Sequence, residues 1–516
     1  MNKDLRPELL ELQRRLQQTG DEIRSQQVEK RHSRGYLTAR ENLQNLLDAD
    51  SFLEYGQLAV AAQRQRQEYE ELQTRTAADG VITGVGAING HPTAVAVYDY
   101  SVLAGTQGFY HHQKLDRIFE VAEQQQLPFV LFAEGGGGRP GDVDVTTQFA
   151  GLNLTSFARW AGLSGKVPRI AVANGYCFAG NAALWGCADI TIATRASSIG
   201  MAGPAMIEGG GLGVHEPGVI GPAAELEKRG VIDLLVDDET EAASKARQLL
   251  AYFQGNAEKV DASDQSSLRD AIPDDRRWAY PLRRIIETIA DTGTFLELRR
   301  PWGRSIVTGF LRIEGQAIAL IANDCQQLGG AVDAESAQKA ARFLQLCDAF
   351  GLPVLSLIDT PGFMVGPDSE KQAAVRRMSS LFTVGASLSV PMIAIFLRKA
   401  YGLGAMAMAG GSFATPVYAA SWPTGEFGGM GLEGAVRLGY RKELEAVADE
   451  GEREQLFQKL LAQLVEQGKA TEAAAKLEID AVIDPADTRK VIYQALLASA
   501  GRSAINPARK RMVDNW

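Results

Sequence analysis

The 516-residue sequence has only four cysteines and five histidines, and no apolar run long enough to cross a bilayer. Each shortage argues against a class of protein. Cys177, Cys187, Cys325 and Cys347 form no CxxC pair and sit in apolar contexts. That spacing argues against a zinc site and for buried free thiols in a reducing compartment; no metal is expected. The longest apolar runs, such as VPMIAIFL, fall far short of the roughly 20 residues a membrane helix needs. The charged, helical N-terminus lacks the apolar region of a signal peptide. A cytoplasmic protein is expected, or one of an organelle matrix if a transit peptide has been removed. With 53 Lys+Arg against 63 Asp+Glu, net charge −10, there is no broad basic surface to neutralise nucleic-acid phosphates. An anionic cofactor would need only one local basic spot. No GxSxG elbow and no HExxH accompany the five histidines, and nothing resembles a catalytic triad. An enzyme built this way works mainly through backbone amides.

One segment invites a nucleotide-switch reading. Asp359-Thr360-Pro361-Gly362 matches the DxxG that lies beside the γ-phosphate in GTPases. A GTPase also needs the phosphate-cradling loop GxxxxGK[ST]. The nearest match is WAGLSGKV, in which Trp160 replaces the first glycine and Val167 follows Lys166. Without that loop a DxxG has no partner to switch, and the turn must serve another chemistry.

What is abundant is glycine, 53 residues, much of it clustered beside apolar runs. These clusters fall into an internal repeat. Leu127-Pro128 matches Leu352-Pro353 (352 − 127 = 225), and VPRIAVANGYCFAGNAAL from Val167 matches VPMIAIFLRKAYGLGAMA from Val390 (390 − 167 = 223). Each copy reads strand, helix, strand, glycine turn, helix, strand, glycine turn, helix. Helical spacing of Ala, Phe, Leu and Cys marks AESAQKAARFLQLCDAF, and short runs such as FVLFA and VLSLI read as strands buried on both faces. The fold class predicted is α/β, a tandem duplication of one domain. The polar stretch from Tyr252 to Arg284 reads as a linker and the entry to the second copy, which places the domains at 1–275 and 276–516.

The aligned turns Gly175–Trp185 and Ala400–Gly411 each follow a buried strand and open a small-residue helix. Glycine there lets backbone approach a ligand, and the first amides of the helix point outward unpaired, with the positive end of the helix dipole behind them. Such a turn can be an oxyanion hole, or it can merely allow tight helix–strand packing. Its presence in both copies favours the hole.

These residues carry a resemblance. RGYLTARENLQNLLDADSFLEYGQLA, DGVITGVGAINGHPTAVAVYDYSVLAGT, KAARFLQLCDAFGLPVLSLIDTPGFMVGPDSE, RKAYGLGAMAM and IDAVIDPADTR are similar to segments of the carboxyltransferase (β) subunits of biotin-dependent acyl-CoA carboxylases, such as the propionyl-CoA and methylcrotonyl-CoA enzymes. The likeness spans nearly the whole chain. It implies two crotonase-like ββα-spiral domains, with acyl-CoA on the N-terminal copy and biotin on the C-terminal copy. It implies transfer of a carboxyl group from carboxybiotin to an acyl-CoA thioester, or the reverse transfer of a decarboxylase; a non-catalytic scaffold is the other alternative. It places a thioester oxyanion hole at Gly180 and Asn181, and a hole for the biotin ureido oxygen at Leu403 and Gly404. Gly105, Gly136, Gly137 and Ala179 would border the acyl-CoA. Gly362, Phe363 and Tyr401 would border biotin, and Met406 lies close to a position that sorts acyl chains. Relatives often carry Gly where Asn181 stands and Ser-Gly-Gly-Ala where EGGGG stands; a backbone donor survives such changes, but the pocket shape differs. The biotin-attachment string Ala-Met-Lys-Met is missing, since GAMAMAGG has Ala407 in place of Lys, and there is no ATP-grasp-like glycine loop. A separate biotin carboxylase and a biotin carrier would therefore be partners. The family commonly forms a hexamer, a trimer of dimers, and such a homo-oligomer is expected.

Overall fold

A computed structural model describes residues 5–145, 152–499 and 512–516. The chain divides into two compact units, Met1–Gln254 with Asn515, and Gly255–Asp514 with Trp516.

The first unit is built on a seven-stranded sheet. Its order is Leu53–Tyr55, Val81–Ile88, His91–Tyr98, Phe129–Phe132, Arg169–Ala173, Ile190–Thr194 and Leu234–Val236. The first two pairings are antiparallel and the rest parallel. Strands Phe129–Phe132 and Arg169–Ala173 are buried along their whole length, which is why they read as unbroken rather than alternating apolar runs. The core joins Phe119 and Leu115 of helix Phe109–Gln125 to Phe129, Leu131 and Trp160. That helix has no cap of its own. Acidic side chains from elsewhere supply it: Asp142 accepts from Phe109 N–H at 2.8 Å and Asp79 from His111 N–H at 2.8 Å.

The second unit repeats the plan. Leu296–Leu298, Ile306–Ile313, Gln316–Asn323, Val354–Thr360, Met392–Tyr401, Tyr418–Ser421 and Ala481–Val482 lie in that order, again two antiparallel pairings followed by parallel ones. Its helix Ala334–Ala349 is capped by Asp333, whose side chain accepts from Ser336 N–H at 2.8 Å. The repeat extends to single buried groups. Lys114 donates to the Ala78 carbonyl at 2.8 Å and Lys339 (339 − 114 = 225) to the Trp302 carbonyl at 3.0 Å. Burial pushes the two ammonium groups down to about 8 and about 7.

The second unit starts at Gly255, ahead of the 275/276 boundary drawn from the sequence. The polar stretch that reads as a linker hides two apolar anchors. Leu268 and Ile272 are buried in the second core, and Ala257 N–H bonds to the Gly315 carbonyl at 3.0 Å.

Candidate active site

In the first unit, strand Tyr176–Phe178 runs into helix Gly180–Gly186 through Ala179, whose φ of 51° is rare for a residue with a side chain. Ala179 is held there from both sides. Its N–H donates to the Gly200 carbonyl at 2.9 Å, and its carbonyl accepts from Ala183 N–H at 2.9 Å. The amides of Gly180 and Asn181 precede that first helical bond, so the helix itself gives them no partner.

Around this turn the structure gathers the predicted acyl-CoA residues. Gly105 ends a left-handed run of φ 48°, 54° and 63° across Leu103–Gly105, and a Cβ on it would lie 2.2 Å from the Glu134 carbonyl. Gly137, at φ 91°, faces Ala179, where a Cβ would meet the Ala179 Cβ at 2.7 Å. Gly136 is exposed between its two buried glycine neighbours. The Asn181 side chain, fully buried, ties these pieces together. Its Oδ1 accepts from Gly137 N–H at 3.1 Å, and its Nδ2 donates to the carbonyls of Gly105 at 3.1 Å and Glu134 at 3.0 Å.

Two cavities flank the turn. One, of about 680 Å³, is lined by Lys30, Arg31, Arg34, Tyr36, Tyr100 and Glu134. Its floor is an ion pair: Arg31 donates to both oxygens of Glu134 at 2.8 and 2.9 Å, and Asn174 bridges Glu134 to Glu239. Burial pushes the Glu134 carboxyl up to about 7, against the downward pull of the Arg31 guanidinium. The other cavity, of about 590 Å³, is lined by the apolar Phe109, Val145, Leu154 and Phe157 and also by the polar Gln107, Arg139 and Asp142, with Gly180 among them. His112 also borders it. Its Nδ1 pairs with Ser156 Oγ at 3.0 Å, and burial holds its pKa at about 4, so the imidazole is neutral at pH 7.

None of Arg31, Arg34, Glu134 or the aromatic walls is singled out by the sequence pattern. The basic cluster KRHSR was the available signal, since an anion needs only one such spot.

In the second unit, strand Met392–Tyr401 runs straight into helix Gly402–Met408. Gly404 is buried against the turn that carries Gly362 and Phe363. A Cβ there would lie 2.6 Å from the Gly362 carbonyl carbon, 2.7 Å from its Cα and 2.8 Å from Phe363 N. Tyr401 is buried, and its carbonyl lies 3.6 Å from where a Gly362 Cβ would stand. Leu403 is 60% exposed. Met406 faces a separate cavity of about 370 Å³, with Gly402, Phe413, Phe427 and Lys476.

Asp359 of the DxxG segment is wholly buried. Its carboxylate accepts from Tyr280 OH at 2.8 Å, Arg398 Nη2 at 3.0 Å and Lys399 N–H at 3.0 Å. It locks strand Val354–Thr360 to strand Met392–Tyr401 where their register shifts between Ile358 and Thr360. Its equivalent in the first unit is Glu134 (359 − 134 = 225). The carboxylate is fully engaged by the protein and offers nothing to a nucleotide.

Residues 30–513 match the model of the carboxyl transferase domain, and the chain belongs to that family. It is a carboxyltransferase of the acyl-CoA carboxylase class, built from two crotonase-like domains. It is 34% identical over 499 residues to the methylmalonyl-CoA carboxyltransferase 12S subunit of Propionibacterium freudenreichii subsp. shermanii, covering 94% of this chain and 92% of the other. The crystal structure of a transcarboxylase 12S, 30% identical, matches with a TM-score of 0.85 over 99% of this chain and 98% of the other. The propionyl-CoA carboxylase beta chain of Saccharopolyspora erythraea is 31% identical, covering 94% and 91%. A single-chain, multi-domain long-chain acyl-CoA carboxylase of solved structure is 52% identical with a TM-score of 0.90. That match covers 96% of this chain and 49% of the other, so the present chain spans about half of that protein. Among the described residues no helix is long and apolar enough to cross a membrane, and no cluster of three His, Cys, Asp or Glu is placed to hold a metal ion.

Proposed function

We propose that the chain transfers a carboxyl group from carboxybiotin, borne by a biotin carrier and loaded by a biotin carboxylase, to a long-chain acyl-CoA. The observation that carries the reading is the size of the cavity beside Gly180, which Phe109, Val145, Leu154 and Phe157 make apolar in part. A carbon unit occupies on the order of the ~30 Å³ of a water molecule. A volume of about 590 Å³ therefore holds far more than a three-carbon acyl group. The name of the long-chain carboxylase, 52% identical, supports the same substrate class.

In this reading the coenzyme's phosphates and adenine ring bind in the cationic, aromatic cavity of Lys30, Arg34, Tyr36 and Tyr100. The thioester passes Gly105, Gly136, Gly137 and Ala179. The amides of Gly180 and Asn181 hold the thioester oxygen and stabilise the enolate when the α-proton leaves. The amides of Leu403 and Gly404, beside Gly362, Phe363 and Tyr401, polarise the ureido oxygen of carboxybiotin. Carboxybiotin would supply the CO₂ and, once decarboxylated, the base that takes the α-proton, while the amides of Gly180 and Asn181 hold the enolate whose carbon bonds to that CO₂. This explains why no side chain near either turn need act as a base. One oxyanion donor contributes about 2.7–4 kcal/mol, and positioning supplies much of the remainder. The 12S relative assembles as a hexamer, and a hexamer is proposed here too.

A propionyl-class substrate is the second reading, favoured by the names of the 34% and 31% identical relatives. Carboxylation of an acyl-CoA series from propionyl to palmitoyl, with a carboxylated carrier supplied, separates the two. A kcat/KM rising with chain length supports the first. A maximum at propionyl overturns it.

A further inference from the structure

We infer that the Asn181 carboxamide is a spacer that sets the width of the acyl side of the site and so selects the size of the acyl group. This rests on the assignment of the thioester to the start of helix Gly180–Gly186.

The inference comes from comparing the two copies. Asn181 and Gly404 are equivalent (404 − 181 = 223), and so are the residues they face, Gly137 and Gly362 (362 − 137 = 225). In the second unit the gap between helix start and turn is closed. A single Cβ at Gly404 would already stand 2.6–2.8 Å from backbone atoms of Gly362 and Phe363. In the first unit the same gap holds a whole carboxamide, fully buried. That side chain cannot fit unless the turn stands further from the helix. It is also fixed in one orientation. Its oxygen takes the Gly137 N–H, and its –NH₂ is divided between the Gly105 and Glu134 carbonyls, so a flipped amide would face like with like.

The gap matters because both of its edges reach the cavity beside Gly180. Gly138, next to Gly137, and Gly180, next to Asn181, lie on that cavity's lining with Phe157 and Leu154. Without the carboxamide, Gly137 loses the acceptor of its N–H and Gly138 can settle toward Gly180, up to the limit set by the Ala179 methyl on which Gly137 already packs. The mouth then narrows. The Gly137 N–H is also released toward the site, changing its polarity. A brace that only stabilised the fold would leave the preference for acyl size untouched.

The test is calorimetric binding of free CoA, propionyl-CoA and dodecanoyl-CoA to the full chain, comparing wild type with Asn181→Gly and Asn181→Ala. In wild type the dodecanoyl ester is expected to bind tighter than the propionyl ester. In Asn181→Gly the ratio of the two affinities is expected to fall by about tenfold or more, the scale on which apolar pockets discriminate between chains, with Asn181→Ala intermediate. If Asn181→Gly does not fold, the Asn181→Ala ratio is decisive by itself. A folded variant with the wild-type ratio overturns the spacer and leaves the thioester assignment standing. A wild type that binds both esters no better than free CoA overturns that assignment, and the spacer with it.

Discussion

Replacing Gly404 by alanine adds one methyl group where the structure has no room. The new Cβ would lie 2.6, 2.7 and 2.8 Å from the Gly362 carbonyl carbon, the Gly362 Cα and Phe363 N. Non-bonded carbons rest about 3.5–4.0 Å apart, so helix start and turn must separate by about 1 Å. All three obstacles are backbone, and no rotamer change relieves them. Overpacking of this kind lowers stability by about 1–3 kcal/mol, within the roughly 5–15 kcal/mol of a folded domain. The protein is therefore expected to fold. A displacement of about 1 Å in a catalytic element lowers a rate by about 10²-fold, and losing one oxyanion donor lowers it by about 10²–10³-fold. Initial rates of carboxyl transfer are expected to fall by about 10²-fold, with circular dichroism confirming the fold. Acyl-CoA affinity, which the proposed function assigns to the first unit, is expected to persist. Leu403→Ala is the control: that side chain is 60% exposed and only its amide is assigned a role, so its rate is expected to stay near wild type. A folded Gly404→Ala protein with the wild-type rate would refute the placement of the second hole.

Asp359→Ala leaves Arg398 buried without its counter-ion, and is expected to lower the unfolding free energy by about 3–5 kcal/mol. An unchanged denaturant midpoint would contradict the structural role, and GTP hydrolysis by the wild type would restore the nucleotide reading. Exchanging Lys30 and Arg34 together for glutamate is expected to weaken free CoA binding by at least about tenfold and to flatten its salt dependence, since both line the cationic cavity; unaltered calorimetric affinity would place the phosphates elsewhere. Burial raises the Glu134 carboxyl from 4.5 to about 7. Between those values the folded protein holds a proton that the unfolded chain has lost. The stability this group contributes is thus present below about pH 4.5 and lost as pH rises through about 7. Unfolding free energy measured across that window is expected to decline less in Glu134→Gln than in wild type, and identical slopes would count against the raised value.

Much of the architecture was legible because it is written in local, repeated patterns. The offsets of 225 and 223 between equivalent positions mark a duplication without any structure. The alternation of buried strands with helices of 3.6-residue period follows from which side chains must leave water. Glycines at Gly105 and Gly404 mark backbone close approaches that a side chain would block, and with the motifs of the carboxyltransferase subunits the glycine clusters marked both turns.

Interactions between distant residues were not legible, because no local pattern encodes a partner. Arg31 meets Glu134 across 103 positions of chain, and nothing near either residue announces the other. Leu268 and Ile272 look like strays in a polar linker until the second core encloses them. The missing phosphate loop rules a nucleotide switch out of the Asp359 segment, but no local pattern says what its carboxylate does instead. Only the three donors converging on that carboxylate show it to be a lock between strands, since a buried charge must be paired where it lies. Asn181 shows the division most clearly. The sequence places it at the mouth of a helix and marks it as a departure from glycine. Tertiary structure alone brings Gly105, Glu134 and Gly137 within reach of its amide, and so turns a departure into a spacer.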